Sequence, residues 1–374
     1  MNAETLFWLA AATVAYTFVG YPAALWVAAR LRTRRVRRAL ITPSVAVIVV
    51  VQDEAARIRA KLESILAQRY PADRMRVIVA SDGAGPEVEA IVRGLDDPRI
   101  EWIPGSTRRG KVACLMDAAT RREEEVLVLT DARQPLHPDA VASLAANFAD
   151  PRVGAVSGEC MLVLDEHGPL GAGAADFWRY EKAIRRMESA IDSMVGVDDA
   201  LYAIRRSALR PIPTDTVRDD VLIPMNVVRQ GLRVVFDASA IAYACPVDEP
   251  AGDRLRAIRA LAGDCRLIAS QPWLLDPRRD RLALQFASHR LVRLVAPIAL
   301  LTMLATSLAL APHEPFYAGA FAVQSAFYLL PAIGLIGGRA AGLRPVRIAT
   351  AFLALNWVML LGLVEWVSHR EARA

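Results

Sequence analysis

The chain has 374 residues, 54% of them hydrophobic, with a formal net charge of +5 and a mean hydropathy of +0.27. That hydropathy is high for a soluble protein, and the excess sits at the two ends. The positive charge calls for no nucleic acid, because much of the arginine flanks apolar runs, where it meets anionic membrane lipids.

From Leu6 to Leu31 the sequence is nearly all apolar or small, long enough to cross a bilayer. Glu4 is the one charged side chain before it, whereas Arg30, Arg32, Arg34, Arg35, Arg37 and Arg38 crowd its far end. A signal peptide carries its basic residues first, so this run is expected to be a retained spanning helix with the rest of the chain entering the cytoplasm. Three more apolar runs are predicted as spans, about Leu291 to Ala311, Phe316 to Gly337 and Arg347 to Val367. Pro312-His313-Glu314-Pro315, without Lys or Arg, falls between the first two, and Arg339, Arg344 and Arg347 between the last two. That alternation agrees with the orientation set by the first run; His369-Arg370 and Arg373 would then lie outside.

The sequence between reads as a soluble α/β unit. Val45 to Val51 is a buried-strand run, followed by Ile58, Leu62, Ile65 and Leu66 at helical spacing and a stop at Pro71. Val77 to Ala80 is the next strand, ending in Ser81-Asp82-Gly83, and Pro86 opens another helix. A short strand at Ile100 to Ile103 precedes a helix that begins at Gly110-Lys111. Then Val126-Leu127-Val128-Leu129 stops abruptly at Thr130-Asp131-Ala132-Arg133. This alternation predicts a mostly parallel, Rossmann-like sheet, with Asp82 and Asp131 at the carboxyl ends of strands on one edge. Two carboxylates converging there suit a divalent cation that offsets the charge of a diphosphate. In isolation each is also an ordinary turn residue. The four cysteines (Cys114, Cys160, Cys245, Cys265) and five histidines have no metal-ligand spacing, so the thiols are read as reduced.

From Val45 to about Leu267 these motifs resemble a membrane-bound, inverting family 2 glycosyltransferase of the GT-A fold. The resemblance places Asp53-Glu54 beside the nucleotide base, Asp82 on the base or ribose and Lys111 near the nucleotide. It lays Asp131 on the first aspartate of the family's Asp-x-Asp, which binds Mg²⁺ or Mn²⁺ and the diphosphate. The second aspartate is Arg133 here; a guanidinium can itself grip phosphate, leaving Asp131 as that motif's one metal ligand. Asp219-Asp220 precede Gly231 at the family's spacing, so Asp220 is assigned as catalytic base, with Asp219 in support. Alone, the pair also reads as an acidic helix start. Arg256-Ala257-Ile258-Arg259-Ala260 falls where processive members carry Gln-x-x-Arg-Trp. Arg256 and Arg259 are assigned to the donor, and the missing Trp argues against polymer synthesis.

Other stretches are open. Trp178 to Arg186 lines an acceptor groove or is a surface helix with aromatic anchors, and Asp198-Asp199 stand where small residues are commoner and tune acceptor choice. Trp273 to Phe286 suggests an interfacial helix. The expected organisation is a spanning helix with its basic flank (1–38), a GT-A domain (39–270), an interfacial segment (271–290) and a three-helix membrane region (291–374). The implied partners are a nucleotide-sugar donor, a lipid-linked or glycan acceptor and membrane lipids, at a bacterial inner membrane. Against this stands a catalytically impaired nucleotide- or glycan-binding module that serves a partner enzyme. A transporter fits poorly, since the spans carry charge only near their ends and most of the chain is extramembrane.

Overall fold

The computed structural model describes residues 2–162, 171–244, 250–335 and 343–371. Cys245, Arg339 and Arg373 fall outside them. Seven strands form one sheet: β1 (Val45–Val51), β2 (Met75–Ser81), β3 (Ile100–Ile103), β4 (Val126–Thr130), β5 (Val153–Leu162), β6 (Leu201–Arg205) and β7 (Arg233–Ala244). Their order across the sheet is β3-β2-β1-β4-β6-β5-β7. The first four run parallel. β6 is antiparallel to both neighbours, and β5 pairs parallel with β7. β4, apolar up to Thr130, is therefore flanked by one parallel and one antiparallel neighbour. The chain steps from β1 outward to β3 and then returns to the other side of β1. That reversal opens a crevice at the carboxyl ends of β1 and β4, the usual place for a ligand in such sheets.

Alternation along the strands builds two cores. Ala46, Ile48, Ile78, Leu127 and Leu129 share one face with α5 (Lys111–Thr120) and α8 (Asp219–Arg229). Val47, Val49, Val77 and Val128 share the other with α3 (Ala55–Leu66), α4 (Pro86–Arg93) and α6 (Ala140–Ala146). The apolar stripe Ile58-Leu62-Ile65 is what seats α3. Lys61, on the same stripe, is fully buried with it.

Four helical stretches are long and apolar enough to cross a membrane: Ala3–Leu31, Ala283–Leu310, Pro315–Ile333 and Arg344–Ser368. The first comprises α1 (Ala3–Ala15) and α2 (Tyr21–Leu31), joined by a π-helical turn at Tyr16–Gly20. The second comprises α10 (Ala283–Phe286) and α11 (Val292–Leu310), joined by another at Ala287–Leu291. The two turns touch, Tyr16 Oη and Ser288 Oγ being 2.7 Å apart. α12 (Pro315–Leu335) and α13 (Arg344–Glu371) complete the set.

The basic flank holds the first helix to the sheet domain. Arg34 pairs with Asp192 at 3.0 Å and Arg38 with Asp237 at 2.8 Å. α7 (Gly171–Ile191) leans on the same helix, Ile184 packing against Tyr21 and Leu25. Residues Trp273, Leu274, Leu282 and Phe286 are buried in the first core. The segment between α9 (Pro250–Ser270) and α10 is thus anchored in the domain, and α10 runs on into α11.

Candidate active site

Asp82 ends β2 and shapes the loop that delivers Lys111. Its Oδ1 accepts hydrogen bonds from the backbone N–H of Arg109 (2.6 Å) and Gly110 (3.0 Å). Gly110 has φ +92°, a conformation that L side chains rarely adopt, and α5 starts on the next residue. Gly105, earlier in this loop, lies so close to β2 that a Cβ would collide with the Ser81 carbonyl oxygen. The sequence thus brings the loop onto the strand end and aims Lys111 across the crevice.

There the lysine meets carboxylates from three elements. Its Nζ lies 3.3 Å from Asp131 at the end of β4, 2.5 Å from Asp199 before β6, and 3.7 Å from Asp219 in the first turn of α8. Arg133 reaches back to Asp131 at 3.4 Å. A cavity of about 10 Å³ sits among Lys111, Asp131, Asp199, Asp219 and Tyr202. Burial disfavours the ammonium, but Asp131, Asp199 and Asp219 outweigh it and hold the Lys111 pKa well above 10.5. Burial likewise opposes the Asp131 carboxylate, yet Lys111 and Arg133 bring its pKa below 3.8. Asp199 goes the other way, pushed well above 3.8 by burial and by the charges of Asp131, Asp219 and Asp220 against the pull of Lys111. Lys111 and Arg133 together face three carboxylates, and Asp219 Oδ2 is buried with no hydrogen-bond partner among the described residues. The surplus negative charge fits a divalent cation beside Asp131. Among the described residues no three His, Cys, Asp or Glu side chains are grouped to hold a metal ion.

Asp220 turns away from that cluster. Its Oδ2 lies 3.0 Å from Arg218, whose Nε is 3.0 Å from Asp264 on α9. Burial raises the Asp220 pKa above 3.8, with Asp219 and Asp264 adding and Arg218 and Arg290 opposing. A carboxylate raised in this way is a stronger base.

The remaining expected donor residues are dispersed. Asp53 stands exposed on the rim, paired with Arg108 at 2.7 Å. Glu54 folds back to accept from the backbone N–H of Gln52 (2.8 Å) and Asp53 (3.1 Å). Arg256 and Arg259 are exposed on α9, outside the group that meets at Lys111. Asp198 pairs with Arg185 at 3.0 Å.

Two contributors were missed in the sequence. Lys61 donates to Thr130 Oγ1 (2.6 Å) and the Gln134 carbonyl (2.5 Å), and Thr130 Oγ1 donates to the Ala200 carbonyl (2.5 Å). This chain fixes the loops bearing Asp131 and Asp199; a cation on the apolar stripe of α3 was its available signal. Tyr202, buried under Asp199 and Asp219, lies in a strand that reads as plain core.

Residues 43–259 match the profile of the family described as "Glycosyltransferase like family 2". Two curated relatives are similar. One is an N-acetylglucosaminyltransferase of Rhizobium sp. (strain N33), 32% identical over 31% of this chain and 27% of the relative. The other is the O-antigen biosynthesis protein RfbC of Myxococcus xanthus, 26% identical over 64% of this chain and 20% of the relative. The chain thus spans under a third of either. Among solved structures, the mannosyltransferase PcManGT from Pyrobaculum calidifontis, in complex with GDP-Man and Mn²⁺, is 24% identical with a TM-score of 0.74. The match covers 97% of this chain and 99% of that one. That likeness is one of fold.

Proposed function

The chain belongs to glycosyltransferase like family 2, and on that premise we propose that it transfers a sugar, with inversion, from a nucleotide-sugar donor to a lipid-linked or polysaccharide acceptor at a membrane face. The observation that carries this is the pair at the start of α8. Asp219 faces Lys111, while the adjacent Asp220 has a raised pKa and faces Arg218. Asp220 takes the proton of the acceptor hydroxyl. The freed oxygen attacks the anomeric carbon from the side opposite the diphosphate, the carbon–diphosphate bond breaks and the nucleoside diphosphate leaves. Lys111 and Arg133 offset the leaving charge. Asp131 would hold Mg²⁺ or Mn²⁺, which when bound neutralises the diphosphate. Asp53, Glu54 and Asp82 take the nucleoside, and Arg256 and Arg259 reach the donor from α9. The arginine-rich flank supports a catalytic domain on the cytoplasmic side, and we read the membrane as a bacterial inner membrane.

A second reading rests on Arg133, which already pairs with Asp131: a nucleotide-binding module with little turnover of its own. Nucleotide release by the detergent-purified protein separates the two. The assay uses Mg²⁺ or Mn²⁺, bacterial lipid extract, a panel of UDP-, GDP- and dTDP-sugars, and Asp220→Asn in parallel. Release with one donor that vanishes in the variant supports the enzyme. Tight donor binding with no release supports the module, and no binding of any donor sinks both.

A further inference from the structure

Resting on the transferase reading, we infer that Asp199 joins Asp131 as the second carboxylate of a divalent-cation site on the donor side, a role that Arg133, in the loop after β4, cannot take. Asp198 and Asp199 part company in the turn before β6. Asp198 Oδ2 accepts from Arg185 at 3.0 Å, its Oδ1 accepts from the backbone N–H of Ala200 at 3.2 Å, and its own N–H donates to Ser157 Oγ at 2.9 Å. Asp198 is thus spent on holding the turn. Asp199 faces the other way, its Oδ1 2.5 Å from Lys111 Nζ, on which Asp131 Oδ1 also sits at 3.3 Å. Two carboxylates already converge on one protein cation. The backbone builds this in: Thr130 is in register with Leu201 across the antiparallel pair, and Thr130 Oγ1 donates to the Ala200 carbonyl at 2.5 Å. Asp131 follows one member of that bond and Asp199 precedes the other.

Exposure selects these two from the three carboxylates around Lys111. The side chains of Asp199 and Asp131 are 42% and 18% exposed, against 6% for Asp219. A ligand entering the crevice meets the first two and stops short of the third. Asp131 alone is a poor holder, because its Oδ2 is drawn to Arg133 at 3.4 Å. Tyr202 is an independent pointer to a ligand. It is 1% exposed, its Oη has no hydrogen-bond partner among the described residues, and it lines the same cavity as Lys111, Asp131 and Asp199. Buried hydroxyls are hydrogen-bonded as a rule, and an ion pair of Asp199 with Lys111 does nothing for this one. A cation that keeps part of its water shell brings a partner for it. Mg²⁺ is commonly held by one or two carboxylates, with water and substrate phosphate completing its shell, so two are enough.

The test is nucleotide binding by the full chain in detergent micelles, measured by calorimetry with UDP, GDP and dTDP, each with Mn²⁺ and again in EDTA. The parent should bind one of them about tenfold more tightly, or better, with Mn²⁺, a factor worth about 1.4 kcal/mol. Asp199→Asn should lose most of that gain, as Asp131→Asn should, with binding in EDTA not weakened. Asp199→Cys separates direct ligation from charge alone, because a thiolate favours Zn²⁺ over Mn²⁺. The ratio of the gain from Zn²⁺ to the gain from Mn²⁺ should rise about tenfold or more over the parent's. A gain from Mn²⁺ that survives Asp199→Asn, or an unshifted ratio in Asp199→Cys, overturns the proposal. So does a parent that binds nucleotide equally well in EDTA, and the transferase reading then stands with Lys111 and Arg133 alone facing the diphosphate. A parent that binds no nucleotide under either condition fells that reading, and the proposal with it.

Discussion

Two neighbouring residues look into different electrostatic surroundings. Asp219 belongs to a group in which one lysine serves three carboxylates. Asp220 belongs to one in which Arg218 and Arg290 share Asp264 and Arg185 and Arg293 stand close by. In the first, Lys111 and Arg133 face three carboxylates and the balance is negative, which suits a cation with its diphosphate; in the second, each arginine already has a carboxylate partner, so Asp220 sits among closed ion pairs. A transferase joins two substrates at one carbon, and a single helix start that divides donor from acceptor side is an economical way to set the base between them.

The largest effect should come from removing that base. Asp220→Asn keeps size and shape but takes no proton, so transfer should fall on the order of 10²–10⁴-fold. Nucleotide affinity should hold within about threefold, a factor worth only about 0.7 kcal/mol. Matched losses of rate and nucleotide affinity would show that the two sides are not separate. Next in size is Lys111→Met, which leaves Asp131, Asp199 and Asp219 without their shared ammonium. Breaking a fully buried pair costs about 3–5 kcal/mol; with 38% of the lysine side chain exposed, about 1–2 kcal/mol is expected. Added Mg²⁺ or Mn²⁺ should then raise the variant's Tm more than the parent's. An unchanged Tm would mean the lysine does not hold the cluster.

The two sides also differed in how far the sequence disclosed them. Asp82 and Asp131 were readable because apolar strands end at them and because such sheets bind ligands at that edge. Lys111 was placed by its motif, but its contact with Asp199 was not: the two are far apart in sequence, and only the antiparallel insertion of β6 beside β4 brings Asp199 across. Lys61 was passed over, since periodicity cannot distinguish a buried amine that bonds Thr130 from a solvated one. Near Asp220 the sequence offered Trp178 to Arg186 as a groove or a surface helix, and spacing alone did not choose between them. A π-helical turn such as Ala287–Leu291, which changes which residues share a face, leaves no mark in hydrophobic spacing.

A pH profile sharpens the comparison at smaller scale. Burial raises the Asp220 pKa above 3.8, and Arg218 is first among the charges that restrain it. The base works deprotonated, so transfer should rise with pH through the raised value. Stability should run the other way. Between 3.8 and the raised value the folded chain binds the proton more tightly than the unfolded one, so this group's contribution declines as pH rises through that window. Arg218→Gln should move the acid limb of kcat/KM upward by about one pH unit, equivalent to about 1.4 kcal/mol. A limb that stays put would remove Asp220 from the role of base.

The smallest effect tests whether the donor side depends on the anchor to the first helix. Arg38 pairs with the buried Asp237 at 2.8 Å, but 47% of the arginine side chain is exposed. Asp237 also accepts from Asn147 Nδ2 at 2.6 Å and from Ser239, so losing the arginine does not strand it. Arg38→Ala should therefore cost about 0.5–1 kcal/mol by chemical denaturation, with nucleotide affinity unchanged. The carboxylate cluster at Lys111 draws on the ends of β4 and α8 and on the loops before α5 and β6, none of which touches this pair. A change in nucleotide binding on removing Arg38 would show that the anchor and the donor crevice are coupled through the sheet, and the separation argued from Asp219 and Asp220 would then be local to the start of α8.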